Sequence, residues 1–139
     1  MASDSRPAQG RPILRQAFQW LSILMFGMVT LQPVLAGRGW FQDRQFIDIH
    51  GYVANAIFPI SLLLLGLALF AGFRRRNLLA GWSFLLVVLV VSQIGMGYVA
   101  TAGNPDIAAL HIPLGVVVFG VSLMLMLLAY GFTTNRENV

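Results

Sequence analysis

The chain has 139 residues, of which 58% are hydrophobic and only 10% are charged. So few charges cannot cover a water-facing surface, which excludes an ordinary soluble domain and predicts a membrane protein. The absence of Cys excludes disulfides, thiolate metal sites and covalent c-type haem. The net charge of +4 comes from Arg residues at the ends of apolar runs, a pattern that indicates membrane topology and not nucleic-acid binding.

The chain begins with fifteen residues rich in Pro, Gly and Arg, which we expect to form a disordered tail. Four apolar runs follow that are long enough to cross about 30 Å of hydrocarbon. They cover roughly residues 17–36, 49–73, 78–100 and 107–132. The short connectors predict an all-α fold, an antiparallel four-helix transmembrane bundle over residues 16–132, followed by a tail over 133–139.

The Arg residues predict the orientation of the bundle. Seven of the nine lie at the end that carries both termini: Arg6, Arg11, Arg15, Arg74, Arg75, Arg76 and Arg136. We therefore expect a multi-pass protein of the cell (inner) membrane with both termini in the cytoplasm. The start of the chain, with its Val-Leu-Ala-Gly at 34–37, also resembles a secretory signal peptide. Its apolar run is long for one, and we expect the first span to remain in the mature protein.

The second half of the chain repeats the first at an offset of 61 residues without a gap. Apolar matches are common in such a sequence, so the polar matches are the informative ones. They are Ser22 with Ser83, Gln32 with Gln93, His50 with His111, and Ser61 with Ser122. The repeat predicts two tandem helical hairpins of the same orientation, related by a pseudo-two-fold axis along the membrane normal.

Gln32, Gln93, His50 and His111 fall at similar depths near the outer ends of the four helices. The two His residues belong to the second and fourth helices, which are diagonal neighbours in an antiparallel bundle, with axes roughly 13 Å apart. That separation suits a planar macrocycle with one imidazole on each face of its iron. The layer therefore predicts one haem b with His50 and His111 as its axial ligands.

The remaining residues of this layer have expected supporting roles. Gln32 and Gln93, or a backbone carbonyl freed by Pro113, would hydrogen-bond the second ring nitrogen of each ligand His.

Small and cationic residues complete the expected cofactor site. Ala54 and Gly115, one turn deeper than each His, leave room for a flat ligand. Arg38 and Arg44 in the outer connector would pair with the haem propionates. A single haem near one face could exchange electrons there but could not carry them across the bilayer.

Two other functions stay open. The polar layer could hold together a cofactor-free structural or accessory subunit whose lipid-facing surface docks a partner. It could also line a proton or solute path in a small transporter, although no acid or Arg lies in the middle of a span. The sequence contains no catalytic triad, paired carboxylates, phosphate loop or HExxH motif, so we expect no independent catalytic activity.

The polar pattern resembles a bacterial family of small four-helix membrane proteins known as domain of unknown function 6220. The residues that carry this resemblance are Gln32, His50, Gln93 and His111-Ile112-Pro113. More distantly, the paired hairpins with His on the second and fourth helices are similar to one half of haem A synthase and to b-type cytochrome bundles. This more distant resemblance implies haem ligation by His50 and His111. We expect a role in electron transfer, in redox sensing or in a larger membrane complex, with the redox partner at the outer face.

Overall fold

The computed structural model describes residues 12–131, which form four α-helices joined by short connectors. Helix α1 spans Pro12–Phe41, α2 spans Gln45–Phe70, α3 spans Arg76–Thr101 and α4 spans Pro105–Ala129. All four helices are long and apolar enough to cross a membrane. The protein is therefore a multi-pass helical membrane protein, as its composition predicts.

The helix ends differ from the predicted apolar runs by a few residues. Helix α1 begins at Pro12, before the predicted span, because Pro is well suited to the first turn of a helix. Helix α2 ends at Phe70, before the predicted end, because the chain turns at Gly72, whose φ is 67°. Residues 1–11 of the predicted N-terminal tail lie outside the described residues, and so does the predicted C-terminal tail, 133–139.

The helices pack in a closed ring. Helix α1 packs against α2 and α4, and α3 packs against the same two helices, whereas the backbones of the diagonal pairs lie farther apart. Short connectors cause this arrangement because they force successive helices to lie side by side and antiparallel. The structure thus confirms the predicted bundle and makes α2 and α4 diagonal neighbours.

The buried residues of the core recur at the offset of 61 residues. The pairs are Phe18 and Leu79, Ser22 and Ser83, Met25 and Leu86, Val29 and Val90, Ile57 and Val118, Ser61 and Ser122, Leu64 and Leu125, and Ala68 and Ala129. Both members of every pair are buried, so the two hairpins present equivalent faces to the bundle axis. This confirms the tandem hairpin repeat.

A layer of four buried serines lies near the middle of the core. Ser22, Ser61 and Ser122 each donate their hydroxyl to the carbonyl three residues earlier in the same helix, at 2.7, 2.6 and 2.8 Å. The hydroxyl of Ser83 has no hydrogen-bond partner among residues 12–131. These serines are small, so the four helices can approach closely at this level.

Aromatic and Arg side chains close the end of the bundle that contains the start of α1 and the α2–α3 connector, here called the Arg-rich end. The Phe18 and Phe73 rings meet edge to face, with centroids 5.1 Å apart. Arg15 donates to the carbonyl of Gly72 and lies over the Phe73 ring at 5.8 Å from its centroid. The Gln and His layer lies toward the opposite end, near the α1–α2 and α3–α4 connectors.

Candidate functional site

The imidazoles of His50 and His111 face each other across the α2–α4 diagonal. Their ring centroids are 6.2 Å apart and their planes are inclined at 64°. Both residues are half-buried. Each comes from the equivalent position of its hairpin, but the two rings differ in their hydrogen bonds.

His50 is held by a backbone carbonyl of α1. Its Nδ1 lies 3.1 Å from the carbonyl oxygen of Gln32. A carbonyl can only accept a hydrogen bond, so Nδ1 donates its proton and Nε2 keeps a lone pair. In the described part of the chain, Nε2 makes no hydrogen bond. This is the arrangement of a His that binds a metal through one nitrogen and is oriented through the other.

His111 is held by the side chain of Gln93 on α3. The Gln93 amide nitrogen donates to the backbone carbonyl of His111 at 2.9 Å and lies 3.3 Å from Nε2 of the ring. The amide N–H can only donate, so Nε2 accepts. The Nδ1 atom is buried and has no partner within residues 12–131. Each imidazole therefore has one nitrogen with a hydrogen-bond partner and one without a partner among residues 12–131. The nitrogen with the partner is Nδ1 in His50 and Nε2 in His111.

Several polar atoms of the layer are unsatisfied. Five buried polar side-chain atoms lack a hydrogen-bond partner in the described chain, and three belong to this layer: Gln32 Nε2, Gln93 Oε1 and His111 Nδ1. A buried polar atom without a partner costs about 1–3 kcal/mol, so each of these three atoms is unfavourable with the partners that residues 12–131 supply. Pro113 lies in α4 as expected, but the carbonyl that receives the Gln93 amide is that of His111.

Two glycines allow α3 and α4 to pack closely around the rings. A Cβ atom on Gly97 would lie 3.3 Å from Cε1 of His111, and one on Gly115 would lie 3.1 Å from Nε2 of Gln93. Gly115 therefore makes room for the amide that orients His111, whereas Ala54 is half-buried on α2. The sequence analysis did not select Gly97. The sequence feature that could have identified Gly97 is its position one turn after Gln93, on the same face of α3.

The two Arg residues expected to serve the site lie at its end of the bundle. Arg38 donates from Nε to Oε1 of Gln42 at 2.9 Å, and its guanidinium lies 4.2 Å from the centroid of the Phe46 ring. Arg44 is exposed and immediately precedes α2. Both side chains thus place positive charge beyond the end of the polar layer.

The distance between the two ring centroids is close to that of two imidazoles bound to one metal ion. A His nitrogen binds a metal at about 2 Å and lies about 1 Å from its ring centre, so two axial imidazoles have centroids about 6 Å apart. The observed 6.2 Å agrees with that value. Among the residues described, no group of three or more His, Cys, Asp or Glu side chains is close enough to hold a metal ion. A metal bound by this His pair would need further ligands from a cofactor, as the iron of a porphyrin has.

Comparison with known proteins places the chain in a family. Residues 32–102, just over half of the chain, match a family of unknown function, DUF6220. The chain belongs to this family. The DUF6220 match begins at Gln32, includes His50 and Gln93, and ends before His111. No curated protein and no solved structure gives a significant match, and the resemblance to haem A synthase is not supported.

Proposed function

We propose that this DUF6220 protein is a b-type cytochrome-like membrane protein that binds one haem b between His50 and His111. The ring separation of 6.2 Å carries the proposal because it is close to the centroid spacing, about 6 Å, of two imidazoles that share one iron. A haem with two protein ligands supplies reversible one-electron exchange and has no open position for a substrate. The proposed role is therefore electron transfer, redox sensing or service as a subunit of a membrane complex.

His50 and His111 differ in the rearrangement that each would need before it could bind iron. His50 needs no rearrangement, because its Nδ1 donates to Gln32 and its Nε2 has a free lone pair. His111 would have to rearrange, because its Nε2 accepts from the Gln93 amide nitrogen and its buried Nδ1 carries the ring proton. Breaking the Gln93 contact with the ring would free the Nε2 lone pair for the iron, while the Gln93 amide could keep its hydrogen bond to the His111 carbonyl.

The charge at this end of the bundle suits the carboxylates of a haem. Arg38 uses Nε for Gln42, and its two terminal nitrogens have no partner in the described part of the chain. Guanidinium groups form strong paired hydrogen bonds with carboxylates. Arg38 and Arg44 are therefore the proposed propionate-binding residues, and they direct that edge of the cofactor toward water at the outer face.

The visible spectrum of the purified protein tests the proposal. The protein is expressed with ample haem supply, purified in detergent and assayed for haem per chain. We expect a Soret band, α and β bands after reduction, and one haem per chain. A colourless protein would contradict the proposal and favour a cofactor-free accessory subunit held together by the polar layer.

Gly97→Val is expected to lower haem content at least tenfold, in the range observed when groups that orient metal ligands are removed. The valine side chain would displace the imidazole of His111, since even a Cβ atom would lie 3.3 Å from its Cε1. Gly95→Val is the matched control, because no atom lies within 4 Å of a Cβ at that position. Equal haem content in the two variants would show that the α3 backbone does not position His111.

A further inference from the structure

The exposed side of α3 carries a shallow groove near the Arg-rich end. It has a volume of about 230 Å³ and is lined by Asn77, Leu78, Gly81, Trp82 and Leu85. The residues recur at helical spacing, so the groove runs along the helix. Gly81 contributes no side chain to the groove, and no atom lies within 4 Å of a Cβ at this position. An open apolar groove along a membrane-spanning helix offers a contact surface for a lipid acyl chain.

Two exposed Arg residues lie at the head of this groove. Arg75 and Arg76 directly precede the first lining residue, are exposed, and make no side-chain hydrogen bond or ion pair with any residue from 12 to 131. The acidic residues in that range, Asp43, Asp48 and Asp106, all belong to the opposite end of the bundle. The head of the groove thus attracts anions, and its body is apolar.

We propose that α3 binds an anionic phospholipid here, with the phosphate on Arg75 and Arg76 and one acyl chain over Gly81. Guanidinium groups bind phosphate oxygens through paired N–H donors. Basic residues at a membrane boundary select anionic lipids over zwitterionic ones. The Asn77 amide adds a donor at headgroup level, and the Trp82 ring forms one wall of the groove. This proposal is independent of the haem.

The first hairpin differs from the second at the positions equivalent to this groove. The residue equivalent to Gly81 is Trp20, a large exposed side chain. The residue equivalent to Arg76 is Arg15, whose guanidinium donates to the carbonyl of Gly72 inside the bundle end. One hairpin therefore uses this end for helix packing, and the other presents free cations beside an open groove.

Fluorescence of Trp82 tests the proposal directly. In a Trp20→Phe/Trp40→Phe background, Trp82 is the one remaining tryptophan of the three. Its quenching is compared in vesicles that contain either phosphatidylglycerol or phosphatidylcholine with brominated acyl chains. We expect stronger quenching by the anionic lipid, and the double variant Arg75→Gln/Arg76→Gln should lose about fivefold in relative affinity for each Arg.

Two matched glycine variants test the contribution of the groove to lipid binding separately from that of the charge. Gly81→Leu should reduce quenching by the brominated anionic lipid, whereas Gly27→Leu, which adds the same side chain at an open glycine of α1, should not. Both glycine variants keep Arg75 and Arg76, so a loss confined to Gly81→Leu is due to the groove and not to the charge. Equal quenching by the two lipids, or a preference that survives loss of Arg75 and Arg76, would overturn the proposal. So would full displacement of the lipid by soluble glycerol phosphate, because it would show that the acyl groove plays no part.

Discussion

Replacing His50 or His111 with Ala is expected to lower the haem content of the purified protein at least tenfold. Each imidazole supplies one of the two protein bonds to the proposed iron, and even the loss of groups that orient a ligand costs about 10- to 100-fold in metal affinity. The two effects should be similar in size, because the rings occupy equivalent positions in the repeat. The ratio of Soret absorbance to protein absorbance measures the loss.

A chemical rescue distinguishes ligation from a structural role. In His111→Gly, free imidazole should enter the vacated space and restore the spectrum of the wild-type protein, because it replaces the missing ligand without rebuilding the side chain. The control is Ser92→Ala, next to Gln93 on the exposed side of α3, where the hydroxyl bonds only its own helix at Val88. This control should keep its haem. Full haem content in both His variants would refute the bis-imidazole site.

Leu64→Ala and Leu125→Ala are each expected to lower the free energy of unfolding by about 2–4 kcal/mol, the usual cost of a cavity left by a buried Leu. The two side chains are 0% and 1% exposed and occupy equivalent positions in the two hairpins. The two losses of unfolding free energy should therefore agree within about 1 kcal/mol, because equivalent cavities remove equivalent packing contacts. Unfolding in mixed micelles with increasing denaturing detergent measures both values.

The neighbouring Leu63 provides the control for this pair. Its side chain is 57% exposed on the outer surface of α2, so Leu63→Ala removes lipid contacts and few protein contacts. We expect a cost below about 1 kcal/mol for this variant. A cost for Leu63→Ala as large as that for Leu64→Ala would show that α2 presents a different face to the bundle axis.

The architecture of the bundle is encoded strongly in the sequence. Four apolar runs with short connectors leave few alternatives to an antiparallel ring, and the repeat identifies equivalent positions such as Ser22 and Ser83 before any coordinates are known. The ends of the helices are less predictable. Helix α1 continues to Phe41, five residues beyond its predicted apolar run, because backbone hydrogen bonds form regardless of the hydropathy of the side chains.

The candidate site also has some features that the sequence predicts and others that it does not. The repeat is sufficient to pair His50 with His111 across the bundle, because diagonal helices and equal depth follow from topology. The rotation of each helix about its axis decides the finer contacts, and the sequence does not specify it to a few tens of degrees. For that reason the anchoring of His50 by the backbone of Gln32, and the contact of Gly97 with the His111 ring, emerge only from the structure.

The electron paramagnetic resonance spectrum of the oxidised protein at low temperature tests most directly whether both imidazoles bind one iron. Axial ligation by His50 and His111 predicts a low-spin ferric signal from one haem per chain, lost in either Ala variant. A high-spin signal from iron with a single imidazole, or a protein that carries no haem at all, would contradict the bis-imidazole site.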